Sequence, residues 1–262
     1  MPTQLTLVSF YGDKPRDFAG LIARCQQLVA KTVGSAFIPY DVRQVHATII
    51  GLERHHAPAY NANFFKHRGR NVPMDFSGFL TRLRESGRIP FEVQLGGFAN
   101  RDYPFTSRDK TPFERSFSVQ EDEVVVMGWP VQVTPPDTPA ATPATRTKVT
   151  RSYPPTLDGL RRAAQNYGIL HRYHRAETDA DNDLFFRIGL IDAKAVAPEA
   201  IDALEKQARK YLSTQRPLVI RVGLEDIYIA AYDDDRLPVS STRTWPLADP
   251  QVTGSFVAGL FK

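Results

Sequence analysis

The sequence predicts an α+β fold: a bilobal, pseudo-two-fold duplication in which antiparallel sheets line a central cleft and helices lie outside. Three observations carry that expectation. Segments of strand and helix periodicity alternate along the chain. The order strand, helix, strand, helix, strand occurs twice. The fifth segments of the two halves share a pattern, FEVQLGG against LVIRVGL. Two copies of such a unit point to a duplicated α+β fold rather than a solenoid. The chain has 262 residues, 42% hydrophobic and 24% charged, enough apolar material for a sizeable core. We read 1–262 as one bilobal domain, with the first repeat at about 1–115 and the second at about 116–262.

The elements follow in order. In 4–12, Leu5, Leu7 and Ser9 alternate with Thr6, Val8 and Phe10, the period of a strand. Asp13 offers a helix cap and Pro15 an early helical position. Phe18, Leu21, Ile22, Cys25, Leu28 and Val29 then recur at helical spacing up to Gly34. A strand is expected at 44–52, and 54–75 is polar and irregular. Phe76, Phe79, Leu80 and Leu83 mark a short helix, 90–98 a strand, 100–114 a loop and 116–131 a hairpin. Residues 132–155 are rich in Pro and Thr, which resist both helix and sheet, so this connector is expected outside the core and partly mobile. A helix at 156–167, a strand at 184–191, a helix at 198–212 and one or two strands within 217–235 complete the second half, followed by a loop-like tail with a last apolar stretch.

Composition excludes several classes. Lys plus Arg number 33 and Asp plus Glu 29, a net charge of +4 spread along the chain; it permits a phosphate-bearing ligand without demanding one. No basic and apolar leader pattern opens the sequence, and no apolar run reaches the ~18 residues of a membrane helix. A soluble, cytoplasmic protein with no membrane partner is the expectation. Cys25 is the single cysteine and lies on an apolar helical stripe, so a buried structural role is expected. No P-loop, dinucleotide glycine fingerprint or Gly-x-Ser-x-Gly elbow occurs. His55, His56 and His67 lack a Cys or acidic ligand at zinc-like spacing, so neither metal nor cofactor is expected.

The chemistry concentrates in QVHATIIGLE, residues 44–53. His46 and Thr48 stand two apart in an otherwise apolar strand, so both project from one face. A histidine there is either a core residue bonded to a carbonyl or part of a cleft. Aligning the two halves sets VHATII on FRIGLI, so Arg187 matches His46 and Gly189 matches Thr48. Arg187 on a buried apolar strand is costly unless its charge is paired or wet.

His-x-Thr followed by an apolar residue (H46-A47-T48-I49, then Gly51-Leu52), in a strand–helix–strand unit duplicated across one chain, resembles the 2H phosphoesterase superfamily, which includes RNA 2′,3′-cyclic phosphodiesterases, also called 2′-5′ RNA ligases. The resemblance implies two His-x-Thr motifs facing one another. One histidine takes a proton from water, the other protonates the leaving oxygen, and the threonines hold the phosphate. Imidazole titrates near neutral pH and suits both tasks. It therefore implies His46 and Thr48 as catalytic residues, with Thr48, Arg187 and the Gly189 N–H as phosphate contacts. The second motif departs from the pattern: R187-I188-G189-L190 has lost both histidine and threonine. Arginine binds phosphate but cannot act as a base at neutral pH. His171 and His174, the histidines nearest that strand in sequence, are the candidates for a second acid or base. Three readings stay open: a phosphoesterase-like enzyme acting on a cyclic phosphate or 2′-linked nucleotide or RNA end; a non-catalytic relative binding a nucleotide, RNA terminal phosphate or other anion; and a protein-interaction module.

Overall fold

The computed structural model describes residues 3–55, 59–134, 150–192 and 194–261. The expected elements form within about three residues of their predicted bounds. They are β1 (Gln4–Ser9), α1 (Arg16–Val33), β2 (Phe37–Pro39), β3 (Ala47–Gly51), α2 (Ala62–Arg68), α3 (Phe76–Glu85), β4 (Phe91–Leu95), α4 (Pro112–Arg115), β5 (Phe117–Gln120), β6 (Glu123–Thr134), β7 (Thr150–Ser152), α5 (Thr156–Ala164), β8 (Leu184–Ile191), α6 (Pro198–Thr214), β9 (Leu218–Val222), β10 (Ile227–Tyr232), β11 (Arg243–Pro246) and α7 (Gly254–Gly259). Helix α1 takes Pro15, not Asp13, as its cap. The stretch expected to be irregular holds α2, whose cap Asn61 accepts from the Phe64 N–H. The ends of the Pro/Thr connector are strands: β7 pairs with the end of β6, Gln132 opposite Ser152. Residues 135–149 of that connector lie outside the described residues.

Where two sheets were expected, the strands form one antiparallel sheet in the order β11-β10-β1-β3-β8-β6-β4-β9, with β2 on β8 and β5 and β7 on β6. Its seam is β3 against β8, which pair only at Ala47 and Phe186. Beyond that point they part. On its other side β3 runs beside β1 with Leu7 opposite Ile50 but Val8 opposite Thr48, so Ile49 is an extra residue, a β-bulge. A second bulge lies at Ile188, since Val124 faces Gly189 while Val125 faces Arg187.

Strand alternation divides the sheet into two faces. On one, Leu5, Leu7, Ala47, Leu184 and Phe186 join Phe18, Ile22 and Cys25 of α1 and Leu204, Ala208 and Leu212 of α6 in a single core drawn from both halves of the chain. The Phe18 and Phe186 rings meet edge to face at 4.9 Å. Cys25 is buried here, as its stripe predicted, and burial pushes its thiol up to about 12, which leaves it unreactive at neutral pH. The opposite face carries Thr6, Thr48, Phe185 and Arg187 at its centre and a separate cluster of Phe98, Val125, Met127 and Trp129 to one side. Tyr153, at the end of the expected connector, packs against that cluster. Among the described residues, no helix is long and apolar enough to cross a membrane.

Gly189 shows how tightly β2 closes on β8. A Cβ at this position would lie 2.5 Å from the Phe37 ring and 2.6 Å from the Ile38 carbonyl oxygen. The backbone atom cannot swing aside as a flexible side chain would. Gly189→Ala is therefore expected to destabilise the protein by about 1–3 kcal/mol, the range for overpacking, measured as a lower urea midpoint; an unchanged midpoint would show that β2 is not held there.

Candidate functional site

A polar cleft of about 200 Å³ opens over the β3–β8 seam. Its lining includes His46, Thr48, Arg187 and His171. Continuing the Ala47–Phe186 register by one residue sets His46 across from Arg187. The cleft thus brings together four of the six residues singled out from the sequence.

His46 sits just before β3, half-buried, with its ring 5.9 Å from that of Tyr11. Its Nδ1 lies 2.7 Å from the Gln44 carbonyl oxygen. A carbonyl only accepts, so Nδ1 carries the proton and Nε2 keeps its lone pair. Burial lowers the pKa of the ring to about 4, with Arg187 and Lys14 adding to the effect against the Gln44 hydrogen bond. The imidazole is neutral at pH 7. The Thr48 hydroxyl, on the same side of the strand, makes no hydrogen bond to the described residues.

Arg187 is neither free nor sealed. Its Nη2 pairs with Glu123, and the two side chains are 22% and 27% exposed. The Tyr40 hydroxyl lies close to the same guanidinium, and Nε is buried without a well-formed hydrogen bond among the described residues. Gly189 lies outside the cleft, contrary to expectation. The Ile188 bulge breaks the two-residue period, and β2 covers Gly189 with Phe37, so its N–H is not a phosphate donor and a threonine would not fit.

The two loop histidines divide. His174 is not part of the cleft lining. Its Nε2 is 2.9 Å from Asp158 Oδ1 and its Nδ1 3.4 Å from Gln165 Nε2, so both nitrogens are spent on holding the loop. His171 lines the cleft, with its side chain 5% exposed. Its Nε2 is 3.1 Å from Asp181 Oδ2, while Nδ1 is buried with no partner among the described residues. Burial, with Arg161 beside it, lowers its pKa to about 3 against the pull of Asp181. Burial opposes ionisation of Asp181, but Arg161 and the His171 hydrogen bond hold the carboxyl below its usual range.

Residues that sequence reasoning passed over complete the site. Arg161 of α5 is 3% exposed. It donates through Nε to the Ile49 carbonyl at 2.8 Å, through Nη2 to those of Thr48 at 2.9 Å and Asp183 at 3.2 Å, and through Nη1 to Asp181. An arginine on the apolar side of a predicted helix was the available signal. Glu53 follows β3 into the cleft, where Tyr232 Oη donates to it at 3.0 Å and burial raises its pKa. Gly51 leaves it room, since a Cβ there would meet the Glu53 carboxylate at 2.1 Å. Arg108 and Arg172 lie against the Tyr173 ring, 4.0 and 5.8 Å from its centre, and neither is ion-paired among the described residues. Within the described residues no cluster of three or more His, Cys, Asp or Glu could hold a metal ion. His55 stacks on Phe65, and His56 lies outside the described residues.

No family model matches the chain. No curated protein sequence matches it. A crystal structure of a conserved protein of unknown function from Agrobacterium tumefaciens is similar over 89% of this chain and 82% of its own, with a TM-score of 0.40 and 12% sequence identity.

The histidine shifts carry a pH dependence whose sign is determined. Both rings are neutral in the folded protein and titrate near 6.5 when unfolded. Their contribution to stability is complete above pH 6.5 and is lost as pH falls from there toward the folded values of about 4 and about 3. Urea unfolding between pH 7 and 4.5 is expected to show a falling midpoint, with up to ~1.4 kcal/mol lost per pH unit for each histidine. His171→Gln removes part of that slope; a slope unchanged in the variant would refute the buried, neutral assignment.

Proposed function

We propose that the chain is a 2H phosphoesterase-like protein that hydrolyses a cyclic phosphate or a 2′-linked nucleotide or RNA end, with His46 as its base. The observation that carries this reading is the meeting of His46, Thr48 and Arg187 in one cleft, with His46 held by Gln44 so that Nε2 is the unprotonated nitrogen. Thr48 donates to a phosphoryl oxygen, and Arg187 offsets the charge that builds on phosphorus-bound oxygen in the transition state. His46 Nε2 accepts a proton from the attacking water. Duplication is part of the same reading. Outward from the seam, β1 and β10 on one side answer to β6 and β4 on the other, so that β4 of the first half and β10 of the second sit in the opposite lobes. This replaces the match of β4 with β9 read from the sequence, since those two strands pair side by side. The setting is cytoplasmic and the partner a nucleotide or RNA terminal phosphate.

One observation favours a second reading, a non-catalytic binder of the same anions. Arg187 stands where the resemblance asks for a histidine, and Glu123 already neutralises part of its charge. An incoming phosphate competes with a carboxylate, which weakens binding and selects ligands able to use Arg172 as well.

The two readings separate in one assay series. Wild-type protein is expected to hydrolyse 2′,3′-cyclic AMP, and His46→Ala to lower kcat/KM by about 10²–10⁴, the span of general acid–base catalysis. Inorganic phosphate is expected to raise the melting temperature of the wild type by mass action, and Arg187→Ala to reduce that shift. A phosphate-induced shift without hydrolysis supports the binder; neither shift nor hydrolysis refutes both readings.

A further inference from the structure

We propose that Arg108 and Arg172 form a second phosphate site at the mouth of the cleft, so that its ligand carries two phosphate groups, one at Thr48 and one beside Tyr173. The inference rests on the reading of the cleft as a phosphate site and narrows the class of ligand.

The cleft is small for a whole nucleotide. It holds about 200 Å³, whereas pockets that enclose a small molecule usually hold ~300–1,000 Å³. It has room for the reacting end of a ligand, and the rest lies beyond it. A second hollow of about 660 Å³ adjoins it, and Arg108, Tyr173, Asp181 and Asp183 line both. Asp181 is committed to Arg161 and His171, and Asp183 to Arg115 and Trp129. The uncommitted charge on this shared wall is that of Arg108.

Arg108 is held there against its backbone preference. It and Asp109 have φ of +48° and +61°, and the Ser107 and Lys110 backbones exchange hydrogen bonds of 2.9 and 3.1 Å around them. Such a two-residue turn usually takes Asn or Gly, because other side chains are strained at positive φ. The surroundings impose it. Ser107 is buried, and its hydroxyl donates to Asp183, which Trp129 Nε1 and Arg115 fix in turn. Strain of this kind concentrates where a side chain must be presented to a ligand. The side chain presented is Arg108, exposed, with its guanidinium carbon 4.0 Å from the centre of the Tyr173 ring.

Arg172 approaches the same ring, at 5.8 Å. Two guanidiniums gather at one ring, and neither makes an ion pair or a side-chain hydrogen bond among the described residues. Like charges so placed repel unless an anion joins them. A phosphate does so, since its oxygens accept from both forks while the ring holds the guanidiniums in place. The clamp is tied to the reacting end by contact. The His171 ring lies 5.6 Å from that of Tyr173, His171 bonds to Asp181, and Asp181 to Arg161, which donates to the Thr48 carbonyl at 2.9 Å. Beyond Arg108 the hollow offers the Phe105 and Tyr153 rings, 5.0 Å apart. A terminal 5′-phosphate and the linkage to a preceding nucleotide share the chemistry that the two arginines recognise. The aromatic hollow favours the linkage, because the base of that nucleotide can rest against its rings.

The test measures binding, so it does not depend on turnover. The dissociation constant of the wild type is expected to be about 10–100 times lower for the dinucleotide ApAp, which ends in a 3′-phosphate, than for 3′-AMP, the gain of a charge-assisted hydrogen bond. Arg108→Ala and Arg172→Ala are each expected to bring that ratio toward one. Both side chains are exposed, so these variants remove charge without opening the core. Adenosine 3′,5′-bisphosphate separates the two sources: a gain as large as that of ApAp assigns the site to a terminal phosphate, and a smaller gain assigns it to the strand linkage. Equal affinities of the wild type for all three ligands, or a ratio that either variant leaves intact, overturn the inference. Hydrolysis of 2′,3′-cyclic AMP by the same protein then leaves the phosphoesterase reading standing. Failure of all three ligands to bind overturns the second site together with the phosphate reading.

Discussion

The arrangement depends on one buried guanidinium. After Ala47, β3 loses β8 as a neighbour, and the bulge at Ile49 leaves the Thr48 and Ile49 carbonyls both facing Arg161. Two backbone acceptors so placed would each cost ~1–3 kcal/mol if left unsatisfied. Arg161 reaches both from α5 and uses its remaining donors on Asp181 and on the Asp183 carbonyl. It stands in for the missing strand and ties helix, seam and loop together. The charge itself is expensive to bury, and the geometry offsets that cost, since the Asp181 carboxylate pairs with it and four backbone carbonyls share the rest. A neutral residue of similar shape could fill the space but could not hold open a cleft between two parting strands.

The same economy governs the charges around the cleft. Asp183 accepts from Trp129 Nε1 at 2.7 Å and from Ser107, and pairs with Arg115. Asp181 is committed to Arg161 and His171, and Glu123 to Arg187. What remains unspent is a short set: His46 Nε2, the Thr48 hydroxyl, His171 Nδ1 and the arginines at Tyr173. The hydroxyl donor and the arginines without an ion pair give this part of the cleft a positive, donor-rich lining.

Much of this was legible in the sequence, and the limits have physical causes. The apolar alternation that marks β1 and β8 and the helical stripe of α1 are local patterns, and they hold to within a few residues. The facing of His46, Thr48 and Arg187 followed from the period of two. Gly189 broke the rule because the extra residue at Ile188 interrupts that period, and a bulge leaves no mark in hydrophobicity alone. The three-residue β2 and the four-residue β11 are too short to show periodicity and exist because β8 and β10 offer them an edge. The merger of two expected sheets into one rests on the single Ala47–Phe186 contact, a pairing across the chain that no window of sequence contains. Arg161 and Asp181 matter through partners far along the chain, so only folding reveals them.

A seam with one strand-borne histidine behaves differently from one with two. Arg187 places a permanent positive charge beside His46, where a second imidazole would titrate. That charge, with burial, keeps His46 unprotonated across the physiological range, which favours it as an acceptor and removes it as a donor. The His171 ring, in the loop at 168–183, is kept neutral in the same way, by burial and by Arg161, against the pull of Asp181. Asp181 is shared: Arg161 draws on one oxygen and His171 on the other. At neutral pH the positive charge lining the cleft therefore rests on its arginines, and both histidines offer it neutral rings.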